Sequence, residues 1–200
     1  MSLNRGKIKM KIELKKRKTK IIIYKIGFIL LFLVGNVLVF CDSIRDDLKK
    51  PKSILNAVVL KGARIVVTEL FSNPQNWEYV LCKIASGDKE WLRVAVGLNK
   101  GAEAGASEML ALAVGEALEK APENVFNITS NSFLLSEICS GPDVDVERYN
   151  SYELAIRAID QRIKMVLSVK NSKLKGTCQS CILYLKQSKE GIEKYFNENR

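Results

Sequence analysis

Between Asn73 and Phe126 apolar residues return at helical intervals, but a turn signal cuts every stretch short. Helices this short are marginal alone, so the chain is constrained to fold by packing them on one another. Asn73-Pro74 is a helix entry: Asn caps the first turn, and Pro tolerates a first helical position that needs no amide hydrogen. Trp77, Val80, Leu81 and Ile84 follow at helical spacing, and Gly87 closes the run. Asp88 is placed to cap a second helix with Trp91, Ala95 and Leu98 on its apolar side. From about Ala102 to Lys120 one stripe holds Ala106, Met109, Leu110, Ala113, Val114, Ala117 and Leu118, with Glu108, Glu116 and Glu119 off it on a solvated face. Gly105, Ala111 and Gly115 are small enough for a neighbouring helix to come close, and Pro122 starts a short turn from Glu123 to Phe126. Both tryptophans read as core anchors; the other reading places Trp77 or Trp91 at a binding surface.

The flanking stretches extend the pattern. Pro51 to Phe71 carries Ile54, Val58, Ala63, Val66, Val67 and Leu70, a helix broken at Gly62. The β-branched Val58-Val59 and Ile65-Val66-Val67 leave strand as the alternative there. Asn150 and Glu153 are spaced as a capping box before a helix with Tyr152, Ile156, Ile159, Ile163 and Val166 on one face. Leu174 to Thr177 reads as a loop, and a last helix from about Thr177 to Asn197 buries Cys181, Leu185, Ile192 and Phe196. The expectation is an all-α fold: six or seven short helices packed as antiparallel or orthogonal helical hairpins, one domain over 53–198.

The N-terminus follows other rules. Residues 1–20 hold nine Lys or Arg and one acid, Glu13, and residues 21–40 are nearly all apolar apart from Lys25. A basic start before an apolar run is the layout of a secretory signal. The uncharged run Ile26–Phe40 has 15 residues, about 22 Å as helix against a ~30 Å hydrocarbon core, which favours a signal peptide. A snorkelling Lys25 would lengthen it into a membrane anchor. Residues 1–43 are therefore a leader or anchor, and 44–52 a charged linker. Either way the body is exported, to the periplasm or to the outer face of the inner membrane. Lipidation at Cys41 and a start at Met10 are further variants of this end of the chain.

Of 32 basic and 22 acidic residues, ten and two lie in 1–43, so the rest is near neutral at net +2. A nucleic-acid binder needs a basic footprint in its folded part, so no nucleic-acid partner is expected. The chain has no histidine, which removes Ser-His-Asp and Cys-His nucleophile activation and His-ligated zinc. No phosphate-cradling glycine motif is present. No catalytic residue, metal or cofactor is expected, and the leading function is a non-catalytic envelope protein that binds another protein, in the manner of an inhibitor or immunity protein. Its interaction-surface candidates are Trp77, Trp91 and the acidic stretch Asp143, Asp145 and Glu147. A membrane-tethered accessory subunit is a further reading, with membrane contact only through 21–40.

Setting Cys41 aside leaves Cys82, Cys139, Cys178 and Cys181, which in an oxidising compartment form one or two disulfides. Four cysteines allow three pairings. Cys178-Gln179-Ser180-Cys181 also spells a thiol–disulfide redox motif, the rival function, although no strand–turn–helix precedes it. The runs Ile84-Ala85-Ser86-Gly87-Asp88-Lys89-Glu90-Trp91-Leu92, Gly101-Ala102-Glu103-Ala104-Gly105-Ala106-Ser107-Glu108 and Cys139-Ser140-Gly141-Pro142 resemble a family of small, uncharacterised exported proteins of proteobacteria. The likeness covers about Asn76 to Pro142 and is weaker around Cys181. It implies an exported, disulfide-stapled helical domain and supplies no activity. The resemblance also favours Cys139–Cys181, a bond that would close a loop worth roughly 3–4 kcal/mol.

Overall fold

In the computed structural model the described residues are 46–144 and 149–198. The chain divides into two units after residue 44, and everything described belongs to the second. The leader 1–43, with Cys41 in it, and Asp145 and Glu147 of the acidic stretch lie outside the described residues.

The fold is all-α, with no strand among the described residues. Nine α-helices occur there, where periodicity alone counts six or seven: α1 (Pro51–Lys61), α2 (Ala63–Phe71), α3 (Pro74–Ile84), α4 (Lys89–Asn99), α5 (Ala104–Ala117), α6 (Pro122–Thr129), α7 (Leu135–Ile138), α8 (Tyr152–Leu167) and α9 (Lys175–Glu198). The finer division comes from Gly62, whose φ of 89° separates α1 from α2, and from the single turn α7. Within 44–52, expected to be a linker, Asp46–Lys49 forms a 3-10 turn that packs on α1 and buries Leu48.

The helix starts obey their caps. Asn73 accepts from the Asn76 amide ahead of Pro74, and Asp88 accepts from the amides of Glu90 and Trp91. At α8 the cap is one residue later than expected: Ser151, not Asn150, takes the Leu154 amide. α9 starts at Lys175, so Gly176 and Thr177 lie in its first turn rather than in a loop. Positive φ at Gly87, +77°, turns α3 into α4; a Cβ there would also stand 2.7 Å from Ala121 Cβ. Asn124 and Lys120 donate to the carbonyls of Gly87 and Ala85, clamping this turn to the one between α5 and α6.

α4 is the central helix of the first part, packed on α1, α2, α3, α5 and α6. Its Leu92, Val94, Ala95 and Leu98 are wholly buried, and a buried leucine stabilises by about 2 kcal/mol. α3 lies on α5, and α8 pairs with α9. The α8–α9 pair joins the rest through α7, which rests on α5, and through α6. Glycines permit the closest approaches. Gly97 on α4 admits Leu55 and Val58 of α1, and Gly115 on α5 admits the Ile138 carbonyl at the end of α7. Gly105 has no such role: nothing lies near it.

Gly101 sits so close to the start of α2 that a Cβ would fall 2.2 Å from the Arg64 amide nitrogen. Backbone cannot yield as a flexible side chain can, so Gly101→Ala is expected to cost about 3 kcal/mol in urea unfolding. Gly191, inside α9 with open space around it, should behave in the opposite sense: Gly191→Ala gains up to about 1 kcal/mol.

Candidate functional site

Cys139 and Cys181 are bonded, with 5.2 Å between their Cα atoms, across 42 residues of chain. The bond joins the residue after α7 to the second turn of α9. Both cysteines are wholly buried. Cys82 is a free thiol exposed on α3, and Cys178 is a free thiol buried at the start of α9.

The residues that follow Cys139 are held as firmly. Arg162 of α8 has only 1% of its surface exposed; its Nε donates to Glu119 Oε1 at 3.0 Å and its Nη1 to the Ser140 carbonyl at 2.9 Å. A Cβ on Gly141 would meet Ile192 and Ile159 at 3.1 and 3.3 Å, so this residue is wedged between α9 and α8. Pro142 is buried. Glu119, expected on a solvated face, is instead the partner of a buried cation. The buried face of α8 is correspondingly rotated from the expected one: Ala155, Ala158, Ile159, Arg162 and Val166 are inside, while Ile156 and Ile163 are half-buried. An arginine scores as polar in any periodicity count, so the stripe that contains it is invisible until its partners are known.

Trp77 and Trp91 are not surface groups. Both are buried; Trp77 stacks edge-on against Phe71 and donates its indole N–H to Met109 Sδ, and Trp91 stacks edge-on against Tyr79. They are core anchors, because an indole buries more apolar area against these partners than a short helix can otherwise supply. Asp143, the one described residue of the acidic candidates, is exposed. Among the described residues no group of three or more His, Cys, Asp or Glu is placed to hold a metal, and no helix is long and apolar enough to cross a membrane.

The redox motif is divided by the disulfide: Cys181 is bonded to Cys139, and Cys178 stands outside the bond. Burial pushes the Cys178 thiol up, against a backbone hydrogen bond that lowers it, and the Glu123 carboxylate adds to the rise. A nucleophilic redox cysteine needs the opposite, a depressed value and exposure.

A surface missed by periodicity lies at the α1–α2 corner. Val59 and Leu60, in the last turn of α1, are 83% and 84% exposed, and Ile65 in the first turn of α2 is 52% exposed. The corner is packed from behind by the contacts of Gly97 with α1 and of Gly101 with the Ala63–Arg64 backbone. Its charges are internally matched: Lys61 bonds both carboxylate oxygens of Glu69 at 3.0 Å, and Arg64 pairs with Glu103 at 2.9 Å. The sign of this surface in the sequence is that Val59, Leu60 and Ile65 lie off the stripe of Ile54, Val58, Val66, Val67 and Leu70.

Compared with models of protein families, with curated proteins and with solved structures, the chain has no match.

Two measurements follow from this geometry. Arg162→Ala is expected to cost roughly 3–5 kcal/mol in denaturant, since it leaves a cavity and strips Glu119 and the Ser140 carbonyl of their donor. In native protein a thiol reagent should label Cys82 at least about a hundredfold faster than Cys178, a contrast set by burial and the raised thiol, and urea should abolish it.

Proposed function

We propose that this protein is a non-catalytic, exported envelope protein that acts by binding another protein, and that the α1–α2 corner is its docking face. The observation that carries the reading is the exposure of Val59, Leu60 and Ile65 within seven positions at the α1–α2 corner, which is packed from behind. Isolated exposed apolar residues are ordinary; three within seven positions, held rigid, are the anchors an interface uses. Rigidity lowers the ordering cost of association. The matched charges Lys61–Glu69 and Arg64–Glu103 favour a protein over an anionic lipid surface, which would call for unpaired basic residues beside the apolar ones.

Export is supported by the basic-then-apolar start of the chain and by the Cys139–Cys181 disulfide, a bond rare where thiols are kept reduced. The resemblance to small exported proteobacterial proteins points the same way. Cleaved and tethered forms differ only in whether 1–43, with its apolar stretch 21–40, is retained.

A photo-crosslinking side chain at position 60, in protein expressed in its own cell, is the direct test. One discrete adduct in the envelope fraction is expected from position 60 and none from an exposed polar control at Lys186. The adduct should fall at least about tenfold on Val59→Ser with Ile65→Ser, while stability moves by less than about 0.5 kcal/mol. Equal adducts from both positions, or recovery of the chain only in the cytosol, would overturn the reading.

A further inference from the structure

The thiol left over from the redox motif sits beside the one disulfide the described residues contain. Cys178 and Cys181 are three positions apart on α9, both buried, and positions i and i+3 are neighbours on a helix. Cys181 is bonded to Cys139. A free thiol therefore stands one helical step from a disulfide sulfur. We propose that Cys178 is an internal exchange partner for the Cys139–Cys181 bond, so that the staple has two isomers at one oxidation level.

The exchange balances within the chain. Cys178 gives its thiol proton to solvent, and its thiolate attacks Cys181 Sγ. The Cys178–Cys181 bond forms as the Cys139–Cys181 bond breaks. Cys139 leaves with the electron pair and takes a proton from solvent. Nothing is oxidised or reduced overall, and the free thiol has moved from α9 to the turn after α7.

The folded helix holds this reaction back. Neighbouring Cβ atoms on a regular helix are about 5–6 Å apart, more than the roughly 3.5–4.5 Å a disulfide spans, so the first turn of α9 must open. That turn is built to open: it holds no acidic residue to meet the helix dipole, begins with Lys175, and has Gly176 with nothing near it. Burial meanwhile keeps the Cys178 thiol protonated. Exchange would remove the covalent tie between the Cys139–Pro142 turn and α9, and that turn carries the carbonyl of Ser140 that Arg162 grips. The covalent state of the staple is thus coupled to the packing of α8.

The test uses the full chain with Cys41→Ser and Cys82→Ser, so that no other thiol takes part. Protein is held without reductant in urea below its unfolding transition, quenched with acid, alkylated and digested with trypsin. Cys178 and Cys181 fall together in the peptide 176–186, which separates the isomers by mass. Native protein is expected to be alkylated on Cys178 alone. With urea, the label on Cys139 should grow in step with an internal disulfide in 176–186, while the total stays at one thiol per chain. In Cys178→Ala, Cys139 should remain unlabelled. Cys139 staying unlabelled in the parent up to global unfolding would overturn the proposal, and so would its labelling equally fast in Cys178→Ala. A rise to three thiols per chain would mean reduction rather than exchange and would sink the proposal as well. The thiol count and the peptide mass in the parent decide the matter even if the alanine variant fails to fold.

Discussion

A guanidinium stays charged at any pH a protein meets, so one with almost no exposed surface must be satisfied wholly from inside the fold. Arg162 is that group, and its two acceptors come from elements far apart in the chain, Glu119 after α5 and Ser140 after α7. The four residues Cys139, Ser140, Gly141 and Pro142 are then held by different means: a disulfide, a charge-assisted hydrogen bond, a close approach that leaves no room for a Cβ, and burial. Removing any one leaves the others loaded. The α8–α9 pair meets the remainder of the domain through α6 and α7, and this turn ties the end of α7 to both of its helices.

The α1–α2 corner leaves apolar side chains outside instead of closing over them. Gly97 and Gly101 bring α1 and the start of α2 down onto the central helix and the turn that follows it, and what is left outside is Val59, Leu60 and Ile65. A surface of this kind gains most from being fixed, because an apolar side chain already ordered has less entropy to lose on binding. The Lys61–Glu69 and Arg64–Glu103 pairs are exposed and contribute little to stability. Their effect is to leave the charge beside these side chains balanced.

Local signals in the sequence were reliable where the physics is local. The caps at Asn73 and Asp88 and the breaks at Gly62 and Gly87 are each settled within four residues, and each stands where the residues place it. The stripe of α4 was legible for the same reason, since leucine, valine and tryptophan announce their own burial. Small local errors fell at the Ser151 cap and at the helical Gly176-Thr177, and the larger ones came where a polar residue is decided by a distant partner. Arg162 and Glu119 are ordinary surface residues until they meet across 43 positions. The tryptophans were ambiguous in the other direction: an aromatic ring suits a core and an interface equally, and only Phe71, Met109 and Tyr79 arriving against them places them inside.

Composition and period alone were enough to set the class of this protein: short amphipathic helices that must pack together, and no imidazole chemistry. Those properties are sums over neighbouring residues, and neighbours are what a sequence displays. Tertiary structure bore out the Cys139–Cys181 pairing that the resemblance favours, and it alone decided which charge goes inside, which glycines are crowded and which apolar side chains remain outside. Each of those is a contact between residues tens of positions apart, and its energy exists only once the intervening chain has brought the two together.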